Sequence, residues 1–222
     1  MSKTAIKIIL GICIALFIVT FAIAVPIFFR PFYYWNIKWL NISDNSGFSE
    51  ETIKTAYNDI MDYLVLNKQF KTGELPHTEE AKSHFEDCKK LFLLDFWVLG
   101  ISAAFIIVIF ILTKTKKLNL SNKKHTVAFY SALGLIGFFA AIGIWGAIDF
   151  SGLFEAFHRL FFFGKTNWVF YNDAEIISIL PEELWMNFGI LILSVIVISV
   201  ISIFVYDLLY RKKISTQNQL KN

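Results

Sequence analysis

The stretch "TEEAKSHFEDCKKLFLLDFWVLGISAAFIIVIFIL", residues 78–112, decides the fold. No Gly or Pro interrupts it before Gly100, so a helix that starts near Thr78 has nothing to stop it. The first half is charged and one-faced. Ala81, His84, Phe85, Cys88, Leu91 and Phe92 recur at helical spacing and share its apolar side. The second half, from Phe96 to Leu112, is uncharged for about five turns. Asp95 marks the entrance. The whole reads as one helix that begins in water and continues across a bilayer.

Three more runs approach the roughly 20 apolar residues that a crossing needs. They cover about 8–29, 127–148 and 188–205, beside 96–112 for the quoted stretch. At 56% hydrophobic, the chain exceeds the roughly 45–50% of a soluble domain. The expectation is an all-α membrane protein, a four-transmembrane-helix bundle with extracytoplasmic amphipathic helices, forming one integral membrane domain over 1–222. Lys3, Lys7 and Ala22-Ile23-Ala24 resemble parts of a signal peptide. The first apolar run exceeds the usual ~7–15 residues of such a leader, and Pro26 follows the apparent cleavage site, so it is read as an anchor.

Loop charges orient the bundle. One side collects Lys3, Lys7, Lys114, Lys116, Lys117, Lys123, Lys124, Arg211, Lys212, Lys213 and Lys221. The other side, residues 30–94 and 149–187, carries an excess of Asp and Glu. The positive-inside rule puts both termini in the cytoplasm and both long segments outside, with His77, His84 and His158. Cys13 is mid-membrane and Cys88 outside, so the two are not expected to pair. The basic loops are topology signals, and no nucleic-acid partner is implied.

In "RPFYYWNIKWL", residues 30–40, Tyr33, Tyr34, Trp35 and Trp39 are expected at headgroup level. Ser49 can cap a helix over "SEETIKTAYNDIMDYLVL" (49–66), with Glu50 and Glu51 at its positive end. Ile53, Ala56, Tyr57, Ile60, Met61 and Leu64 form its apolar face. "NKQFKTGELPHT" (67–78) is a loop broken by Gly73 and Pro76. In the third span, Gly137–Ala141 and Gly143–Ala147 set small residues one turn apart for close helix packing. "FEAFHRLFFF" (154–163) reads as a short interfacial or re-entrant helix, with Glu155 and Arg159 on its wetter side. In the segment that follows, Trp168, Phe170 and Tyr171 lie among polar turns, and Pro181 leads into the last span.

No G-x-G-x-x-G, P-loop, H-E-x-x-H or G-x-S-x-G motif is present. What remains are His84 and His158, each on the apolar face of an amphipathic helix at the outer surface. An imidazole there is either a satisfied core residue or a base that burial keeps neutral. His84 and Cys88, one turn apart, would need His158, Asp87 or Glu80 to complete a metal site, and no ligand spacing supports one. His77 reads as a solvated loop residue and His125 as a cytoplasmic interface residue.

"SHFEDCK" (83–89) and "FHRLFF…NWVFYND…IISILPEELW" (157–185) carry a resemblance. The first is similar to a His-x-x-Asp-x-Lys element that opens a second span. The second is similar to a signature of Phe-His, an aromatic pair, Trp-x-Phe, an Asp, two aliphatics and Pro-Glu. Both resemble the lipoprotein intramolecular transacylases of Gram-positive bacteria, over nearly the whole chain. Phe85 and Cys88 depart from that family's pattern, so Cys88 is not expected to be a nucleophile.

The resemblance implies an acyltransferase whose partner is a lipoprotein bearing a diacylglyceryl group on its N-terminal cysteine. It moves the sn-2 acyl chain to the cysteine's α-amino group, giving an N-acyl lyso-form at the outer leaflet. That amine, with an ordinary pKa of about 7.7–8.0, must lose a proton to attack an ester. His84 is the expected base and His158 its partner, with the reverse left open. Trp168 and Arg159 are oxyanion candidates. Asp87 orients a helix or a histidine, or simply pairs with Lys90. Phe157 and Phe161 belong to an acyl-chain pocket against membrane lipid. An ester-to-amide exchange runs downhill, so no cofactor and no metal are expected. The alternatives are a non-catalytic membrane protein that binds a partner through its external helices, and a metal-dependent membrane hydrolase.

Overall fold

A computed structural model describes residues 2–120, 124–170 and 175–219. Lys123, Tyr171, Asn172, Asp173 and Lys221 lie outside the described residues. The elements are α1 (Lys3–Phe28), α2 (Arg30–Trp39), α3 (Ile42–Ser46), α4 (Glu50–Leu66) and α5 (Glu79–Lys114), then α6 (Val127–Ile148), α7 (Phe150–Phe161), α8 (Glu175–Ser178) and α9 (Glu182–Gln219). Among the described residues there is no strand, only an isolated bridge between Thr72 and Glu74. The protein is all-α, and α1, α5, α6 and α9 are long and apolar enough to cross a membrane.

The quoted stretch is one unbroken helix from Glu79, with Gly100 carried inside it. Its 36 residues measure about 54 Å at 1.5 Å per residue. The hydrocarbon core is only about 30 Å thick. The uncharged run 96–112 is the part of α5 with the composition of a crossing. The turns before it, with Glu79, Glu80, Lys82, Glu86, Asp87, Lys89 and Lys90, lie outside the spanning segment.

The chain divides into two compact units. The first takes in the chain up to Ala22, Trp97–Gly143, and the chain from Leu193. Its helices meet at one close approach. Ser131 Oγ donates to the Gly11 carbonyl at 2.8 Å, and a Cβ on Gly11 would sit 3.3 Å from that oxygen. Among the described residues the expected small-residue contact is absent at Gly137, where a Cβ would meet nothing within 4 Å, while a Cβ on Gly143 would lie 3.7 Å from Leu193. Asp207, 1% exposed, accepts from the Thr126 amide and from His125 Nδ1, each at 2.7 Å. His125 also stacks on Phe129 at 3.9 Å. It is an interface residue, holding the start of α6 to α9.

The second unit, Ile23–Phe96 with Ile144–Ile192, has a true core. Ser49 Oγ caps α4 by accepting from the Thr52 amide at 3.1 Å. Every residue of the predicted α4 face is buried. That face packs on Tyr33 and Ile37 of α2 and on Ile176, Ile179, Leu180 and Leu184. Tyr33 differs from the headgroup position expected for it. It is fully buried, stacked on Tyr57 with ring centroids 3.7 Å apart, and its hydroxyl donates to the Ile179 carbonyl at 2.8 Å. Trp35 and Trp39, on the other side of α2, are 58% and 74% exposed. Period alone marks a ring as amphipathic; which rings turn inward depends on α4 arriving to cover them.

Tyr33→Ala is expected to cost about 3–5 kcal/mol, as aromatic truncations in packed cores do. Tyr33→Phe, which strands the Ile179 carbonyl, is expected to cost about 1–3 kcal/mol. Denaturant unfolding in detergent measures both. A Tyr33→Ala protein as stable as the parent would contradict this account of the core.

Candidate active site

The site lies within the second unit. The Thr78 hydroxyl accepts from the Ala81 amide at 3.2 Å and starts α5, which puts His84 in its second turn. Asp149 starts α7 by accepting from the Gly152 amide at 2.9 Å. A Cβ at Gly152 would collide with the Asp149 carboxylate, so a larger residue there would push the cap aside. His158 follows in the third turn of α7.

The two helices bring the two histidines together. Their ring centroids lie 5.8 Å apart, and both residues are buried. Phe162 is 4.8 Å from His84 and 5.6 Å from His158. Phe170 lies 5.6 Å from His84, and Phe154 and Trp168 lie 4.3 and 5.1 Å from His158. The pair is thus walled by aromatic rings.

The ring nitrogens have different surroundings. His158 Nδ1 is 2.7 Å from the Phe154 carbonyl. A carbonyl can only accept, so Nδ1 carries the hydrogen and Nε2 of the neutral ring holds the lone pair. His84 Nε2 is 3.5 Å from Cys88 Sγ, and its buried Nδ1 has no hydrogen-bond partner. Burial lowers both pKa values. His84 is pushed down to about 4 by burial and then by the nearby His158. His158 is also lowered by burial, against the opposing pull of the Phe154 carbonyl. Both rings are therefore neutral, and able to accept a proton, at physiological pH.

The other predicted residues divide. Asp87 is buried and anchors an ionic cluster: Lys90 Nζ at 3.0 Å, Lys165 Nζ at 2.5 Å and Asn167 Nδ2 at 3.0 Å. Burial works against its charge, but the bonds from Lys165, Asn167 and Lys90 outweigh it and hold the carboxyl well below the ordinary carboxylate range. Trp168 lies tilted against His158, while its indole N–H donates to the Lys165 carbonyl at 2.9 Å. Arg159 points away, its guanidinium exposed and bound to Glu155 at 2.6 and 3.0 Å. Phe157 and Phe161 are half exposed and lie tilted against each other at 4.7 Å, Phe157 also lying 5.5 Å from His158. His77 is exposed, with Nδ1 2.9 Å from the Thr72 hydroxyl.

Lys165, Asn167 and Ser83 were not singled out by sequence reasoning. The available signal was the polar turn "GKTN" (164–167) directly before an aromatic pair. Burial, then the Asp87 charge, push the Cys88 thiol up to about 12, which makes it a poor nucleophile. Among the described residues, no three His, Cys, Asp or Glu side chains gather as a metal site would require.

The family model described as "Lipoprotein intramolecular transacylase Lit" matches residues 8–185. The in meso structure of the membrane integral lipoprotein intramolecular transacylase Lit from Bacillus cereus superposes with a TM-score of 0.82, at 25% identity over 98% of each chain. Two structures of that Bacillus cereus protein with one histidine replaced also share the fold. The alanine form has a TM-score of 0.78 at 23% identity, covering 98% of this chain and 96% of its own. The arginine form has a TM-score of 0.77 at 22% identity, covering 99% of this chain and 95% of its own. No match was found among curated proteins. Four apolar helices, a buried imidazole pair and a family match over most of the chain lead to one assignment: this chain belongs to the lipoprotein intramolecular transacylase family of membrane-integral acyltransferases.

Proposed function

We propose that this enzyme moves the sn-2 acyl chain of the diacylglyceryl group on a lipoprotein's N-terminal cysteine to that cysteine's own α-amino group. The product is an N-acyl lyso-form lipoprotein. The observation that carries the reading is the imidazole pair, 5.8 Å apart among aromatic rings.

The amine nitrogen attacks the ester carbonyl carbon. One proton leaves that nitrogen, the C–O bond to the glycerol sn-2 carbon's oxygen breaks, and the proton ends on that oxygen. A neutral imidazole can take the proton and return it. The geometry favours His158 for this role, reversing the order expected from sequence. Its tautomer is set by the Phe154 carbonyl, so Nε2 presents a lone pair. His84, with a pKa of about 4, is a weak base, and its unpartnered Nδ1 suits holding the amine. Donor and acceptor sit on one substrate, so orientation supplies much of the rate. Phe157 and Phe161 offer apolar surface to the acyl chains.

The same reading puts both termini in the cytoplasm and the site at the outer leaflet. Lys3, Lys7, Lys114, Lys116, Lys117, Lys124, Arg211, Lys212 and Lys213 all fall at one set of helix ends, which supports it. Mass spectrometry of lipoprotein N-termini tests the function. Expressed in a host without other N-acylating enzymes, the chain is expected to yield N-acylated, lyso-glyceryl cysteine. Diacylglyceryl cysteine with a free amine in those cells would end the proposal.

A further inference from the structure

Resting on that function, we propose that Lys165 and Asn167 are positioning residues. They clamp residues 162–170 across the two imidazoles as a strap, with Asp87 as its anchor.

The aromatic walls have two sources. Phe154 belongs to α7, while Phe162, Trp168 and Phe170 all belong to the strap. The strap is stiffened from within. The Lys165 amide donates to the Phe162 carbonyl at 3.0 Å and the Val169 amide to the Thr166 carbonyl at 3.1 Å. Gly164 turns it with a φ of +74°. These bonds shape the strap but do not hold it on α5.

Three contacts do. Lys165 Nζ reaches Asp87 Oδ2 at 2.5 Å, Asn167 Nδ2 reaches the same oxygen at 3.0 Å, and Asn167 Nδ2 also reaches Ser83 Oγ at 3.1 Å. Ser83 and Asp87 are one helical turn apart and bracket His84 in sequence. The grip therefore acts beside that imidazole. The Asp87 side chain is only 8% exposed, so its bonds are shielded from competing water. Lys90 occupies the other carboxylate oxygen at 3.0 Å, from within α5 itself. Removing Lys165 thus loosens the strap without leaving a bare buried carboxylate, a separation that makes the idea testable.

The full-length enzyme in detergent is compared with Lys165→Met, Asn167→Leu, Lys165→Arg and Lys90→Met. A synthetic diacylglyceryl lipopeptide reports kcat and KM. Diethyl pyrocarbonate labelling, read by peptide mass spectrometry, reports the accessibility of His84 and His158, with His77 as reference. Lys165→Met and Asn167→Leu are expected to lower kcat about ten- to a hundredfold, the scale of a misplaced reacting group, with KM little changed. Labelling of His84 and His158 should quicken by about tenfold, equivalent to a tenfold change in an opening equilibrium, with His77 unaffected. Lys165→Arg should recover most of the loss, and Lys90→Met should behave as the parent. Unchanged labelling in Lys165→Met overturns the strap. So does labelling that quickens equally at His77, which signals general unfolding. A parent enzyme that makes no N-acylated product defeats the transacylase reading, while the labelling still decides the strap.

Discussion

His158→Ala is expected to lower the rate of N-acylation by about 10²–10⁴-fold, the usual worth of a positioned general base. The effect should fall on kcat, since the proton is transferred after the lipid chains are bound. His84→Ala should fall in the same range and raise KM as well, because His84 is assigned to holding the amine. The two rings are 5.8 Å apart, so they share one substrate group and their losses should not add. The double variant is expected near the level of the worse single one. Normal lyso-form from both single variants would return the histidines to a packing role. Full additivity would separate them into independent sites.

The second large effect concerns pH. The substrate amine must be unprotonated, and its ordinary pKa lies at about 7.7–8.0. kcat/KM should fall about tenfold per unit as the pH drops below that range. A second proton enters when an imidazole is protonated. Burial lowers both imidazoles, His84 to about 4 and His158 to below its ordinary value. A lowered pKa keeps the neutral, competent ring to lower pH. The steeper limb, about a hundredfold per unit with two protons, should therefore begin only below about 6.5, the value of a free imidazole. A rate–pH profile on a soluble lipopeptide settles the point. A steeper limb already present at 6.5 or above would show that the rings are not held in a water-poor site.

Much of this architecture is legible in the chain because it depends on local pattern. The run 78–112 holds no Pro and no Gly before Gly100, and α5 continues through it without a break. The α4 face follows from spacing at Ile53, Ala56, Tyr57, Ile60, Met61 and Leu64, all buried as expected. His84 and His158 could be nominated by the same logic, each on an apolar face. That the rings meet could not be read, because period says nothing of which helix lies opposite. The same limit explains Tyr33, whose inward turn depends on Tyr57 and Ile179, and Gly11, whose importance exists only once Ser131 sits against it. Arg159 is a different case. Glu155, one turn earlier, was visible in the sequence and offered it a closer partner than any substrate.

The bond from Tyr33 to the Ile179 carbonyl joins residues 146 positions apart. It has a consequence for the order in which the protein is made. Tyr33 and the apolar face of α4 leave the ribosome long before Ile176, Ile179, Leu180 and Leu184, which close over them. At about 5–20 residues per second, the interval between Leu64 and Ile176 is roughly 6–22 s. Throughout it the half-made chain has a helix with an uncovered apolar side. The cover and the helix that carries His158 both follow α4 in the chain, so the two histidines can meet only after the α4 face has emerged.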